Sequence, residues 1–267
     1  MRIPFTKAHG AGNDFLLTWI NEAPRENQSE AAIAICERHT GVGADGWLLV
    51  SQPPVGEQAF DGAIQLFNSD GSIPEISGNG TRCAAAFLVD VGLAADTVRI
   101  RTGAGVKSLR LLERSGLSFV FEMNMGPPRF PEGDRTVLDL STGPLAVTLV
   151  DVGNPQCVVQ VKDFDSDWRG MGAEIERHVR FPNRTNVSFV RRVDEHTLDV
   201  RFFERGAGET MSSGTGSTGA AAAALQLGLV KSPVTVCTPA GPLELRSEGE
   251  IYLVGPAQII GGGEFYL

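Results

Sequence analysis

Cysteine is scarce and scattered in this chain. Cys36, Cys83, Cys157 and Cys237 stand far apart and no C-x-x-C pair occurs, which argues against a zinc knuckle, a thioredoxin-type redox centre or a dense disulfide framework. Positive charge is in deficit: 23 Lys and Arg face 32 Asp and Glu, a formal net charge of −9. Nucleic-acid phosphates and anionic lipid headgroups do not attract such a chain, so neither nucleic acid nor membrane is expected as a partner. Long apolar runs are missing too; none approaches the ~18 residues that span a bilayer. The opening Met1-Arg2-Ile3-Pro4-Phe5-Thr6-Lys7 has no apolar signal-peptide core, so a cytoplasmic protein is expected.

What is present is an ordinary globular composition, 42% hydrophobic and 21% charged over 267 residues, enough for one or two cores. Alternating or mainly apolar runs at 64–67, 98–101, 117–123, 145–150, 158–161, 187–190 and 198–203 lie between Gly, Asn, Asp and Pro and read as strands. The tail from 234 onward adds short strands joined by turns at Ala240-Gly241-Pro242 and Gly261-Gly262-Gly263. Four helices are expected: 29–39 capped by Ser29, 81–91 stopped by Gly92, 168–178, and Ala-rich 219–227 ended by Gly228.

An internal repeat runs through this pattern. Ser77-Gly78-Asn79-Gly80-Thr81-Arg82-Cys83-Ala84-Ala85-Ala86 resembles Ser213-Gly214-Thr215-Gly216-Ser217-Thr218-Gly219-Ala220-Ala221-Ala222, about half the chain away. Each copy follows an apolar run that ends in a polar residue, Asn68 in one and Glu204 in the other. Two halves of similar strand–loop–helix build are the economical reading.

A Gly-rich loop entering a helix aims unpaired N–H groups and the positive end of the helix dipole at one point, which suits a carboxylate, a phosphate or a developing oxyanion. Two such loops facing one cleft would hold one small ligand from both sides. Gly41-Val42-Gly43-Ala44-Asp45-Gly46 fits G-x-G-x-x-G, but a helix precedes it and a strand follows, the reverse of a dinucleotide fingerprint. Gly214-Thr215-Gly216-Ser217-Thr218-Gly219 does open a helix, yet the tail after it leaves no room for a Rossmann domain. Any one Asn beside Gly is ordinary turn chemistry. Taken together, Asn13, Asn154, Asn186 and the Glu204-Arg205 pair would suit an amino-acid zwitterion: Arg or loop amides take the carboxylate, while Asn and Glu oxygens take the ammonium.

At this point the residues resemble a known family. His9-Gly10-Ala11-Gly12-Asn13-Asp14-Phe15, Gly41-Val42-Gly43-Ala44-Asp45-Gly46, Phe67-Asn68-Ser69-Asp70-Gly71-Ser72, Ser77-Gly78-Asn79-Gly80-Thr81-Arg82-Cys83, Gly153-Asn154-Pro155 and Glu204-Arg205-Gly206-Ala207-Gly208-Glu209-Thr210 look like diaminopimelate epimerase. They occur in the family's order from end to end. The resemblance implies an α/β fold of two pseudo-symmetric lobes, each a mostly antiparallel β-sheet rolled around a central helix, with the active site between them. The lobes are expected at 1–118, with 257–267 returning to it, and at 119–256. The resemblance also implies an isomerase without cofactor or metal, inverting LL-diaminopimelate to the meso form for lysine and peptidoglycan precursors, and a homodimer. The ligand contacts it implies are Asn13, Asn68, Gly78, Asn79, Asn154, Asn186, Glu204, Arg205, Gly214 and Thr215.

In that family two cysteines face the α-carbon from opposite sides, at positions held here by Ser77 and Ser213. The histidine that assists the first corresponds to Gln156, and the partner of the second is retained as Glu204. Cys83 and Cys157 match flanking positions and are expected to be buried packing residues. A hydroxyl ionises near ~15.7 against ~8.5 for a thiol, so an alkoxide costs roughly 7–10 kcal/mol more to form. Serine serves as a base only if a neighbour takes its proton; Glu204 can do so for Ser213, and Gln156 cannot. Ser77, Ser213, Glu204 and Gln156 are thus the catalytic candidates. Two other readings stay open: a catalytically silent amino-acid-binding paralogue, and a different isomerase or dehydratase using Glu204 as acid–base.

Overall fold

The computed structural model describes residues 1–267. They form two compact units, residues 1–124 with 254–267, and residues 125–253. The sequence reading set these breaks at 118/119 and 256/257. Those positions and the bounds of the units fall inside the same two continuous strands, Ser118–Gly126 and Ile251–Tyr266. A hydrogen-bonded strand has no need of a Pro-, Gly- or polar-rich linker, so nothing in the composition marks the division.

In the first unit, β1 (Arg2–Gly10) pairs antiparallel with β2 (Asn13–Trp19), and α1 (Gln28–Cys36) crosses to the parallel strand β3 (Gly46–Ser51). Antiparallel β4 (Gly62–Asn68) follows, and α2 (Gly78–Asp90) crosses to the parallel β5 (Thr97–Thr102). Hairpins then add β6 (Gly105–Ser115) and β7 (Ser118–Gly126). The end of the chain returns as the last strand (Ile251–Tyr266), which neighbours β7 and also pairs with β1, so the eight strands close on themselves. The helix α2 packs against β1 to β5 and is buried from Gly78 to Val89. Small residues make this possible, since Ala84, Ala85 and Ala86 let strands approach on every side at 0% exposure.

The second unit repeats the succession. After β8 (Thr136–Leu140), β9 (Gly143–Asp151) runs antiparallel to β10 (Pro155–Gln160), and α3 (Trp168–Glu176) crosses to the parallel β11 (Asn186–Arg192). Antiparallel β12 (Thr197–Glu204) carries a short partner, β13 (Gly208–Thr210). Then α4 (Gly214–Gln226) crosses to the parallel β14 (Val234–Thr238), with β15 (Gly241–Ser247) antiparallel to it. The chain-final strand, β16, begins beside β15. The order antiparallel, parallel, antiparallel, parallel, antiparallel is the same in β1–β6 and in the β9–β15 path, so the repeat seen in two loops extends over the whole ladder. No helix is long and apolar enough to cross a membrane.

Three helix starts differ from expectation. The sequence placed α2 from 81 and α4 from 219, with the glycines as entry loops; the helices begin at Gly78 and Gly214. Ser77 and Ser213 are the N-caps, and their hydroxyls accept from the N–H of Gly80 (3.1 Å) and Gly216 (3.0 Å). A capped first turn outweighs the poor helix propensity of two glycines. The first helix begins at Gln28 behind Asn27 rather than at a Ser29 cap, and ends at Cys36. Strands β1, β2, β6, β8 and β13 are additions to the sequence reading.

Candidate functional site

Within the first unit the polar groups collect around the start of α2. Asn79, 1% exposed, donates from Nδ2 to Asn13 Oδ1 (3.2 Å). Asn13 in turn donates from Nδ2 to Asp45 Oδ2 (2.6 Å). On the other side, the Arg82 Nη2 donates to Asn79 Oδ1, and Arg82 Nε donates to the Pro256 carbonyl at 3.1 Å. Asp45 and Asp14 share Arg38, at 2.8 Å each, and Lys7 lies 3.1 Å from Asp14. Burial would raise the Asp14 carboxyl, but the bonds and charges of Arg38 and Lys7 outweigh it and hold the group below its ordinary range. Asn68 spends its amide on Ser72 Oγ (2.9 Å), inside its own turn. No carboxylate is hydrogen-bonded to Ser77, whose Oγ takes the Gly80 N–H.

Within the second unit, two networks meet the start of α4, and a third holds the turn after β12. Ser213 Oγ donates to Glu204 Oε2 at 3.1 Å, and Thr210 Oγ1 holds the other oxygen, Oε1, at 2.6 Å. Gln156 Nε2 donates to Asn154 Oδ1 (2.7 Å), whose Nδ2 donates to Thr215 Oγ1 (3.3 Å). The Gln156 side chain lies against Gly219, where an added Cβ would come 2.9 Å from its Cγ. Its Oε1 is buried without a hydrogen-bond partner. The third network organises the turn after β12: Asn186 Nδ2 donates to the Pro155 carbonyl (3.0 Å) and its Oδ1 accepts from the Arg205 N–H (3.1 Å). Glu176, 2% exposed, secures the same turn by accepting from Gly206 N and Arg184 Nη1, both at 3.2 Å.

The two half-sites correspond position by position. Register puts Phe15 opposite Gly46, and Gln156 opposite Asn186. Following the ladders, Asn68 in one unit stands where Glu204 stands in the other, each at the end of the strand that leads to the loop. The first unit therefore has an amide where the second has a carboxylate. Asn79 matches Thr215, and each is bonded by the Asn of a Gly-Asn pair, Asn13 or Asn154.

A family model described as diaminopimelate epimerase matches residues 5–131 and 148–260. This chain belongs to the diaminopimelate epimerase family. It is 38% identical over 278 residues to the diaminopimelate epimerase of Pelotomaculum thermopropionicum, covering 98% of both chains. It is 40% identical to that of an Azoarcus species over the full length of each. Among solved structures, a probable proline racemase from Agrobacterium radiobacter shares the fold with a TM-score of 0.77 at 15% identity, over 99% of this chain and 93% of that one. A Bacillus anthracis phenazine biosynthesis protein of the PhzF family does so with a TM-score of 0.71 at 16% identity, over 100% of both. The α/β fold expected from the sequence and the isomerase class are those of the family.

Of the residues singled out by sequence, Asn13 and Asn79 come together in one unit, and Gln156, Asn154 and Thr215 join in the other, where Glu204 meets Ser213. Asn68 and Asn186 hold turns. Arg82, Asp45 and Thr210 were not singled out, although each is bonded directly to a candidate. Only the Thr210 contact had a signal, lying on the short return strand after Gly208. Cys83 and Cys157 are 0% exposed, and burial pushes both thiols up to about 12, which fits packing rather than chemistry.

Proposed function

We propose that this diaminopimelate epimerase-like isomerase moves a proton at the α-carbon of a diaminopimelate-type amino acid, LL to meso, with Glu204 as its base acting through Ser213. The 3.1 Å hydrogen bond from Ser213 Oγ to Glu204 Oε2 carries this reading. As Ser213 Oγ takes the α-proton, its own proton passes to Glu204, so no free alkoxide has to form. The electron pair left on the α-carbon spreads into the α-carboxylate. Loop amides at Gly78-Asn79 and Gly214-Thr215 are proposed to receive that charge. Asn13, Asn68, Asn154, Asn186 and Arg205 are proposed to hold the ammonium and carboxylate groups, a role supported by membership of the family.

Ser77 is proposed to serve the opposite face. It has no carboxylate to exchange a proton with, so the two faces are unequal. In deuterated water LL-diaminopimelate should therefore exchange its α-hydrogen faster than it inverts. Glu204→Gln should lower exchange by about 10²–10⁴-fold. No exchange above background in the wild-type chain overturns the reading. Gln156 favours a second one, amino-acid binding without turnover, because a side-chain amide cannot take up a proton at neutral pH. Calorimetric binding together with absent exchange is its signature.

A further inference from the structure

Arg82 is 0% exposed, yet no carboxylate reaches it. Its side-chain bonds go to Asn79 Oδ1 and the Pro256 carbonyl, and Nη1 is buried with no partner. Burial draws its pKa down to about 10. The fold makes room for it on purpose-shaped backbone: a Cβ at Gly255 would sit 2.8 Å from Arg82 Cζ. An uncompensated guanidinium in a protein interior is costly, so its retention calls for a reason beyond packing.

The reason lies in the direction of the chain of hydrogen bonds that Arg82 begins. It runs Arg82 to Asn79, Asn79 to Asn13, and Asn13 to Asp45. An asparagine amide turned by 180° exchanges its donor and its acceptor, and two in series can turn together. Arginine only donates and an ionised aspartate only accepts. With one at each end, a single orientation of both amides satisfies every link. Turning either amide sets N–H against N–H at Arg82 or oxygen against oxygen at Asp45. The second unit has no such lock: its chain runs from Gln156 through Asn154 to Thr215, whose end groups each donate and accept.

We propose that Arg82 is a positioning residue, which with Asp45 fixes the amide orientation of Asn13 and Asn79 and so decides which of their atoms meet the amino-acid ligand. The inference rests on the ligand-contact role proposed above for Asn13, to which the Asn79 side chain passes the orientation. Two substitutions separate orientation from packing. Arg82→Gln keeps a polar side chain and removes the buried charge, but an amide can donate or accept, so this end no longer enforces the direction and Asp45 alone holds it. Arg82→Lys keeps a donor-only group.

Calorimetry with meso-diaminopimelate as probe should show binding about tenfold weaker for Arg82→Gln. Arg82→Lys should stay within about threefold of the wild type. Equal binding by Arg82→Gln and the wild type overturns the proposal. So does weaker binding by the lysine variant than by the glutamine variant, the order expected if only charge burial and packing mattered. Should a variant not fold, the wild-type chain still decides: one side-chain amide proton of Asn13 and one of Asn79 should be protected from solvent exchange in NMR spectra. Rapid exchange of all four protons overturns the relay. If the wild-type chain binds no amino acid, the functional reading fails, and the amide protection reads the relay independently.

Discussion

At the scale of single residues, the cysteines and Asp14 give the clearest tests. Burial pushes Cys36, Cys83 and Cys157 up to about 12, while Cys237 is partly exposed. At pH 8 iodoacetamide should label Cys237 alone, read by intact mass; labelling of the other three in native buffer would contradict the structure. A Ser77→Cys thiol, at a helix start where no carboxylate is hydrogen-bonded to the side chain, should alkylate faster than a Ser213→Cys thiol, which Glu204 opposes. Asp14 sets the acid limb of stability. Its folded pKa lies below the ordinary value because of Arg38 and Lys7, so its contribution is present above the unfolded value of ~3.9 and is lost as pH falls through the folded one. Melting temperature should therefore drop below about pH 4, and Asp14→Asn should flatten that limb while lowering stability at pH 7. An unchanged acid limb would count against the assignment. Asn79 and Glu204 stood out in the sequence through the internal repeat, and Asn13 through the motifs that resemble the family. Arg82 was not, since its burial depends on a carbonyl 174 residues further along the chain.

At the scale of elements, α2 and α4 open on the two candidate loops, and their existence was readable from the alanine runs. Their first turns were not. Glycine propensity argues for a loop at 78–80 and 214–216, and only the cap geometry of Ser77 and Ser213 reverses that. β6 escaped because its residues are mostly exposed, so no apolar alternation announces it. The floor of the second half-site gives a test at this scale. Gly219 lies in a buried helix, and a methyl there would press on the Gln156 side chain at 2.9–3.0 Å. Gly219→Ala should cost about 1–3 kcal/mol in urea unfolding despite the better helix propensity of alanine. A variant as stable as the wild type would mean that Gln156 moves aside freely.

At the scale of the whole molecule, the division into units without a linker explains why their bounds could not be read from composition. The closure of the first sheet depends on the far end of the chain: β16 pairs with β1 from Arg2↔Tyr266 to His9↔Gln258, and the Met1 ammonium donates to the Leu267 carbonyl. Removing residues 258–267 should strip hydrogen-exchange protection from α2 while leaving α4 protected; protection of both would show that β1 tolerates an open edge.

That late-arriving strand also has a bearing on biosynthesis. A ribosome delivers residues 125–253 as one uninterrupted stretch, whereas the opening segment waits for residues 254–267 before its ring can shut. The part made first is thus finished last, against the usual N-terminal-first order. Until β16 has been made, the nascent β1 carries a bare edge, the surface that chaperones guard and that aggregation exploits.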